Sequence, residues 1–399
     1  MPIDTAFLPA DILLPKAGFE KWSCIACDQY TSEPEYWSAV EELVGGAPSA
    51  YRLILPEIYL DLPDVGERIE KIVATMQDYL EGGVFAEYKD AFVYVERTLP
   101  NGAVRRGLVG KLDLEDYDYT DGSRSLVRAT EGTVLSRIPP RVKIRENAPL
   151  ELPHIMVLIN DPGRTVIEPL SGFCAKPLYD FELMMGGGRL RGWLVDKKAH
   201  AGTLRAIAAL AEGEFPLVFA MGDGNHSLAA AKACYEAEKA RTGRADLPSR
   251  YALVELVNIH DEALEFEPIY RVMFGVEPEN VQKELQKAFG SSCEPNVEYV
   301  FRHGAGRLYV PGLVCGTVQE FIDSYIASHP GVSVDYIHGE AVVRRLCSER
   351  GDTFGFIFGG IGKDELFEYV RIHGPLPRKT FSMGEAKSKR YYTEARRIK

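Results

Sequence analysis

Residues 215–241, FPLVFAMGDGNHSLAAAKACYEAEKAR, constrain the fold most strongly, because their pattern changes from strand to helix within a few positions. Residues 216–221 are almost wholly apolar, which is typical of a buried strand. The next four, 222–225, are Gly-Asp-Gly-Asn, residue types that tolerate turns and positive φ. From His226 onward, polar and apolar residues recur with helical spacing. The sequence therefore predicts a buried strand that turns directly into a helix.

This turn is a candidate anion-binding site. The first backbone N–H groups of a helix have no partner within it, and the helix dipole adds partial positive charge there. Asp223, Gly224, Asn225, His226 and Ser227 add groups for metal binding, hydrogen bonding and proton transfer. The structural alternative is a well-capped buried helix, with Asp223 or Asn225 as the N-cap and His226 merely satisfied. Function is favoured because so many polar groups share one exposed turn after a buried strand.

Two common phosphate-binding patterns are not matched. No Gly-Lys pair in the chain completes a Walker loop. The dinucleotide fingerprint fits Gly222 and Gly224 but has Ser227 where the third glycine would stand. An anion site at this turn would therefore be of another kind.

Composition limits the classes of partner. The formal net charge of −12 argues against a broad nucleic-acid or anionic-membrane surface. No apolar run is long enough to cross a bilayer, and the first residues do not resemble a signal peptide. Seven cysteines, an odd number in a long chain, indicate reduced thiols and a cytoplasmic location. We therefore expect a small anionic ligand, with neither nucleic acid nor membrane as partner.

Residues 124–145 carry a local excess of five positive charges, since six cations face one acid, Glu131. The cations are Arg124, Arg128, Arg137, Arg141, Lys143 and Arg145. Such a run is often only a solvated face. Arginine, however, binds phosphate or carboxylate through two parallel hydrogen bonds. We therefore count four of these arginines, together with the acid, as candidate ligand contacts: Arg128, Glu131, Arg137, Arg141 and Arg145.

Two further places carry candidate ligand contacts. Asp28 and Gln29 follow the pair Cys24-x-x-Cys27, which could be redox-active or half of a zinc site. Zinc is disfavoured because the other cysteines are scattered singly along the chain. We favour Cys24 and Cys27 as small buried residues beside a functional Asp28 over a thiol redox site. His260 follows an apolar strand at 251–258 and is either part of a site wall or a salt-bridged loop residue.

The pattern of elements predicts an α+β (mixed α/β) fold. Residues 1–274 are expected to form a larger unit that contains the turn. Within it, the apolar spacing at residues 64–90 predicts one amphipathic helix. Elements alternate again in residues 275–374, which predicts a smaller α/β domain. The segment 375–399 is strongly basic and is expected to return to the core.

Several stretches resemble the domain-of-unknown-function family numbered 1015. The first is Asp-Gly-Asn-His-Ser at 223–227 with the Leu-Ala-Ala-Ala-Lys that follows. The others are CIACDQYTSEPEYW (24–37), VRATEGTVLSRIPPRVKIRENAPLELPHI (127–155), HDEALEFEPIYR (260–271) and GPLPRKTFSMGEAKSKRYY (374–392). Together they span nearly the whole chain.

The turn itself is similar to one in the broader ParB/sulfiredoxin-like superfamily, where a related turn caps a helix and holds nucleotide phosphates. Free-serine kinases of that superfamily, and the placing of family members near serine-biosynthesis genes, imply a role in serine metabolism. Most relatives would have Asp-Gly-His-His-Arg, whereas Asn225 and Ser227 stand here. The phosphate-binding arginine is thus missing from the turn, and Arg128, Arg137, Arg141 and Arg145 are its candidate substitutes.

The resemblance implies a phosphotransferase that acts on a small hydroxyl compound, with free serine as one candidate. Its cofactors would be Mg²⁺ and a nucleotide, ATP or ADP. Asp223 would hold the metal or accept the hydroxyl proton, and His226 would orient or protonate. The alternatives are a non-catalytic nucleotide or phosphometabolite sensor, and a thiol redox protein acting through Cys24 and Cys27.

Overall fold

In a computed structural model, residues 5–289, 294–377 and 379–399 are described, and they form a mixed α/β fold. Cys293 and Arg378, which belong to the cysteine count and to the basic C-terminal segment, lie outside the described residues.

The helices of the described part are, in chain order, α1 (Phe19–Trp22), α2 (Pro34–Val44), α3 (Val65–Glu81), α4 (Ile138–Arg145), α5 (Lys197–Ala208), α6 (Asn225–Thr242), α7 (Pro278–Phe289), α8 (Val314–Ser328), α9 (Glu340–Glu349) and α10 (Lys363–His373). The strands are β1 (Phe7–Leu8), β2 (Ala10–Pro15), β3 (Cys24–Ile25), β4 (Phe85–Ala91), β5 (Val93–Thr98), β6 (Val104–Asp113), β7 (Tyr117–Asp118), β8 (Val127–Arg128), β9 (Leu150–Glu151), β10 (Met156–Ile159), β11 (Tyr179–Glu182), β12 (Arg189–Leu194), β13 (Phe219–Asp223), β14 (Tyr251–Asn258), β15 (Phe266–Phe274), β16 (Val297–Phe301), β17 (Gly304–Leu308), β18 (Ser333–His338), β19 (Thr353–Phe358), β20 (Phe381–Met383), β21 (Tyr391–Tyr392) and β22 (Arg396–Arg397).

The chain divides into two compact units. The larger comprises Met1–Leu264 together with Gly384–Lys399, and the smaller comprises Glu265–Met383. The boundary between the two units thus lies after Leu264, before β15, whereas the sequence predicted it after residue 274. The reason is that β15 pairs with β18, β19 and β20, all strands of the smaller unit.

The larger unit is built on a mixed sheet with the strand order β11-β12-β5-β6-β14-β10-β13-β8-β7, and β1 pairs with β6. Near its middle, β10 runs parallel to β14 and antiparallel to β13. The register sets Met156 of β10 opposite Asp223, the last residue of β13. This pairing brings the end of β13 beside the start of β10.

Both faces of this sheet are covered by apolar side chains. Because successive strand residues point to opposite faces, alternate residues of β5 enter two different clusters. Val93 and Val95 belong to a cluster that contains the buried Trp22. Tyr94 belongs to a second cluster that contains Leu228 of α6. α6 is therefore held against one face of the sheet, with its first turn next to the end of β13.

The smaller unit contains a sheet with the order β17-β16-β19-β15-β18, to which β20 adds through β15. All of these pairings are antiparallel. Val281 of α7 and Val318 of α8 pack with Phe354 and Phe356 of β19 in one cluster. No helix in the described ranges has the length and apolarity needed to cross a membrane.

One local prediction was wrong. The apolar spacing at residues 64–90 suggested a single amphipathic helix, but α3 ends at Glu81. Gly83 has a φ of 65°, in the left-handed region that ends helices. The chain then forms β4, which pairs with β2 near the start of the chain.

Candidate functional site

The predicted strand-to-helix turn is formed by β13, Gly224 and α6. Gly224 is the N-cap residue with φ 75° and ψ 22°. A Cβ atom at this position would lie 3.0 Å from the Cα of Ile155, so both the backbone conformation and the space favour glycine. No side chain caps α6. Instead, Asp223 Oδ1 accepts a hydrogen bond of 2.8 Å from the Gly224 N–H. The 18-residue helix thus presents an uncapped N terminus at a partly exposed turn.

The Asn225 side chain is hydrogen-bonded to two other segments, at Tyr117 and at residues 131–133. Its Oδ1 accepts a hydrogen bond of 2.9 Å from the Tyr117 hydroxyl. Its Nδ2 donates to Thr133 Oγ1 at 2.9 Å and to the carbonyl oxygen of Glu131 at 3.4 Å. The predicted contact Glu131 is therefore at the turn, although the atom that reaches Asn225 is its backbone oxygen.

His226 holds the same segment. Its Nε2 accepts a hydrogen bond of 3.1 Å from the Val134 N–H. Since an accepting ring nitrogen carries no proton, the neutral ring has its proton on Nδ1. This contact gives His226 a role in holding residues 131–134 against the turn.

A chain of polar contacts lies beside the turn and includes the predicted contacts Asp28 and Gln29. Gln29 Nε2 donates to Asp28 Oδ1 at 3.0 Å, and His154 Nε2 lies 4.0 Å from Asp28 Oδ2. His154 Nδ1 is 2.7 Å from the Tyr392 hydroxyl, which accepts from the Cys27 N–H at 3.3 Å. The Nε2 atom of His154 therefore faces Asp28, while its Nδ1 atom faces the Tyr392 hydroxyl.

Lys389 connects this chain with the turn. Its Nζ lies 3.3 Å from Asp223 Oδ2, and the two side chains are only 15% and 17% exposed. Burial alone would raise the pKa of Asp28, but His154, Gln29 and Lys389 together hold it below its ordinary value. His154 lies within reach of the turn as well, since a Cβ on Gly224 would be 3.4 Å from its Cδ2. Around the turn, the site therefore combines the carboxylates of Asp28 and Asp223 and the ammonium group of Lys389 with the imidazoles of His154 and His226.

Arg128 is not brought to this place. Its guanidinium donates to the carbonyl oxygens of Ser125 at 2.7 Å, Phe215 at 3.0 Å and Pro216 at 3.3 Å. Phe215 and Pro216 precede β13, whereas the turn follows it. The guanidinium therefore lies at the opposite end of this strand.

The other three predicted arginines serve different contacts. Arg137 is exposed. Arg141 forms an ion pair with Glu57, and Arg145 Nη2 lies 2.6 Å from Glu151 Oε2. Glu57 and Glu151 thus hold these two guanidinium groups, although Arg141 and Arg145 line the same cavity as Ser227 of the turn.

His260 lies at the far end of the sheet. Met156 is opposite both Asp223 and Glu255, on the two neighbouring strands. His260 comes five residues after Glu255, which corresponds to roughly 16 Å along an extended chain. Its Nε2 is 2.7 Å from Asn160 Oδ1, a residue that follows β10. The fold therefore separates His260 from the turn.

The cysteine pair has the wrong electrostatics for thiol chemistry. Cys24 and Cys27 are both free thiols. Burial raises the pKa of Cys27 to about 12 and moves the pKa of Cys24 in the same direction. Since the thiolate is the reactive form, this environment opposes redox or nucleophilic chemistry.

Three residues of the site were missed as site residues by sequence reasoning: His154, Lys389 and Tyr392. His154 follows a proline before an apolar strand, and the other two lie in the basic C-terminal segment. Their positions in the sequence carried no sign that they meet Asp28 or Asp223. Within the described ranges, no group of three or more His, Cys, Asp or Glu side chains is arranged to hold a metal ion.

Comparison with known proteins gives one family and several distant structures. No curated protein matches the chain. A free serine kinase in complex with AMP is 11% identical, with a TM-score of 0.39 over 71% of this chain and 90% of that one. A mutant free serine kinase in complex with ADP is 10% identical, with a TM-score of 0.41 over 71% and 91%. SbnI with a C-terminal truncation, from Staphylococcus aureus, is 13% identical, with a TM-score of 0.37 over 69% and 82%.

The match to a family model is far more extensive. The model of the protein family of unknown function DUF1015 matches residues 9–387, which include the turn, Asp28 and His154. The chain therefore belongs to the family DUF1015.

Proposed function

We propose that this protein is a phosphotransferase that moves a phosphoryl group from ATP or ADP to the hydroxyl group of a small compound, with free serine as the first acceptor to test. The observation that carries the proposal is the meeting of the uncapped N terminus of α6 with Lys389, Asp223 and Asp28. Phosphoryl transfer requires mainly positioning and charge neutralisation, and these groups supply both.

On the donor side, the first-turn amides of α6 would donate to phosphate oxygens, as helix N termini do elsewhere. Most relatives would have an arginine at the position of Ser227, and Lys389 would supply that positive charge here. Mg²⁺ is usually held by one or two carboxylates together with substrate phosphates, so Asp223 suits it without a preformed cage. When bound there, the ion would neutralise charge on the phosphates.

On the acceptor side, the hydroxyl oxygen would attack the terminal phosphorus, and the bond from phosphorus to the leaving nucleotide oxygen would break. ATP would leave as ADP, or ADP as AMP. The hydroxyl proton would pass to a carboxylate. Asp28 suits this role because its lowered pKa keeps it ionised, while Gln29 and His154 fix its orientation. His226 acts as a positioning residue through Val134.

The test is a phosphotransfer assay. The full chain is incubated with serine, Mg²⁺ and ATP or ADP, and phosphoserine is measured by mass spectrometry. Asp28→Asn is expected to lower kcat by about a hundredfold or more, the contribution usual for a positioned general base. Asp61→Asn is the matched control because Asp61 is exposed. Equal kcat values for the two variants would show that Asp28 does not act as the general base.

A second function, a non-catalytic nucleotide or phosphometabolite sensor, is favoured by one observation. The Asp223 carboxylate already has a partner for each oxygen, the Gly224 N–H and Lys389. A sensor would be stabilised by ADP without forming a product. At a hundredfold excess over Kd the stabilisation would be about 2.7 kcal/mol. Binding without turnover for every hydroxyl acceptor tested would select the sensor.

A further inference from the structure

A cavity of about 130 Å³ lies behind the turn, in the larger unit. Its walls are mostly apolar and include Leu53, Leu55, Met76, Leu150 and Leu152. A cavity of similar size, about 150 Å³ and lined by comparable side chains, binds benzene in another protein. The volume therefore suits one aromatic ring or a branched aliphatic group.

The cavity is continuous with the candidate site. Ser227 and Ala230 both line it, and residues three apart share one face of a helix. The first turn of α6 therefore leads from its uncapped end into the cavity. His154 and Tyr392 of the chain of polar contacts also line it. A ligand whose polar part lies at the turn could place its remaining part in this space.

The chemistry of the walls selects a hydrocarbon group. The charged residues of the lining are already paired with each other, Glu57 with Arg141 and Glu151 with Arg145. At position 230 only a methyl group projects from the helix, which leaves room beside it. A purine would bring ring nitrogens into this space, and burying them without hydrogen-bond partners is unfavourable. A phenyl or branched alkyl group has no such requirement.

We infer that this cavity binds the hydrocarbon part of a small ligand whose polar head lies beside Ser227. The inference deepens the proposed function and rests on it where it names the acceptor class, a hydroxyl compound carrying a phenyl or branched alkyl group. Serine itself would leave the cavity empty. Binding of the hydrocarbon part is a separate property that requires neither nucleotide nor turnover.

The first measurement is direct binding of benzyl alcohol to the full chain, by isothermal titration and ligand-observed NMR, in the absence of nucleotide. Ala230→Leu fills the cavity from α6 and is expected to weaken binding at least tenfold. Ala148→Leu fills it from the segment that follows α4 and should have the same effect. Ala237→Leu is the control because it makes the same change on an exposed position of α6. Circular dichroism and cooperative unfolding identify variants that remain folded.

Loss of binding in either folded cavity variant, with retention in Ala237→Leu, supports the inference. Absence of binding to the wild-type chain at millimolar concentration overturns it, as does binding that neither cavity variant changes. If adenosine displaces benzyl alcohol and is itself weakened by Ala230→Leu, the cavity binds a base and the hydrocarbon assignment is wrong.

The second measurement compares acceptors. With Mg²⁺ and ATP or ADP, 3-phenylserine is expected to give kcat/KM at least tenfold higher than serine, and Ala230→Leu should abolish the difference. A preference for serine in the wild type would overturn the acceptor class. If benzyl alcohol binds in the cavity but no acceptor is phosphorylated, the proposed function fails while the cavity site stands.

Discussion

Residues 124–145 and the C-terminal segment Gly384–Lys399 are both rich in cations, but the fold uses them differently. In the first, Arg124 lies over the Phe215 ring, Arg128 binds carbonyl oxygens and Arg145 binds Glu151. In the second, Lys389 reaches Asp223 at the turn. The segment with the clearer charge signal in the sequence therefore serves mainly to bind other parts of the fold, while the C-terminal segment supplies a cation to the site.

The difference shows that the number of charges in a segment does not determine their role. A cation acts where its partner lies, and the partners come from distant parts of the chain. Arg390 illustrates this, because it binds Glu255 and Glu394 at 2.6 Å each and the Pro153 carbonyl oxygen at 2.6 Å. Burial alone would lower the pKa of Arg390, but the two carboxylates hold it above its ordinary value. This buried anchor holds the C-terminal segment in the larger unit and so fixes the position of Lys389.

The largest effect is expected for Arg390→Met. The change leaves Glu255 and Glu394 buried without this partner, so the free energy of unfolding should fall by about 3–5 kcal/mol. Urea unfolding measures the loss. Arg397→Gln removes an exposed charge from the same segment and should change stability by no more than about 0.5 kcal/mol. Equal unfolding midpoints for the two variants would show that the C-terminal segment is not anchored by this network.

The next effect concerns the site. Lys389→Gln should weaken binding of Mg²⁺-ADP by about tenfold to a hundredfold, since a hydrogen bond to a charged group contributes about 1.5–3 kcal/mol. Arg137→Gln, in the first segment, is expected to leave the affinity unchanged because Arg137 is exposed. Isothermal titration compares the two variants. The opposite ranking would mean that residues 124–145 supply the phosphate-binding cation after all.

The Glu151 carboxylate is paired with one arginine from each segment, Arg145 and Arg396, so their contributions can be compared directly. Burial alone would raise its pKa, but Arg396 and Arg145 hold it below the ordinary value. Its charged form therefore stabilises the fold above the unfolded-state pKa of about 4.3, and this contribution is lost as the pH falls through the lower folded-state pKa. The stability difference between wild type and Glu151→Gln should thus narrow below about pH 4.

The two arginines should contribute unequally to that carboxylate. Arg396 also donates to the carbonyl oxygens of Pro248 and Tyr251, whereas the side chain of Arg145 is paired with Glu151. At pH 7, Arg396→Met should therefore cost more stability than Arg145→Met, by about 1 kcal/mol for each additional hydrogen bond lost. Urea unfolding at pH 7, 5, 4 and 3 tests both statements. A larger loss for Arg145→Met would contradict the comparison.

The smallest effect is expected for Arg124→Gln. Arg124 is exposed, and its guanidinium lies 4.2 Å from the centre of the Phe215 ring. Exposed contacts of this kind contribute about 0.5–1 kcal/mol, so the unfolding midpoint should move only slightly. A loss comparable to that of Arg390→Met would show that the first segment is as important to the fold as the second.

Local patterns predicted several elements well. The apolar run at 251–258 is β14, and the change of pattern after residue 221 is the junction of β13 with α6. These elements are predictable because their periodicity and turn residues act over a few neighbouring positions. The helix predicted for residues 64–90 failed where the outcome depended on a distant partner, since β4 exists by pairing with β2.

The candidate site also combines residues that local sequence reveals with residues that only tertiary contacts bring there. Asp223, Asn225 and His226 are recognisable because they share one turn, and Asp28 and Gln29 because they stand out in an unusual local sequence. His154, Lys389 and Tyr392 were missed because only their contacts give them a role. The distance from Lys389 to Asp223 follows from the anchoring of Arg390 and from the pairing of β21 with β3.

By itself, the sequence determined the mixed α/β class and the glycine turn at the start of α6, because these follow from local backbone preferences and apolar periodicity. The tertiary structure alone decided which cation meets the turn, since ion pairs depend on distance in space and on burial rather than on separation along the chain. For the same reason it separated His260 from Asp223. Asp223 ends β13 and His260 comes shortly after β14, and these two strands run in opposite directions because β10 is antiparallel to β13 and parallel to β14.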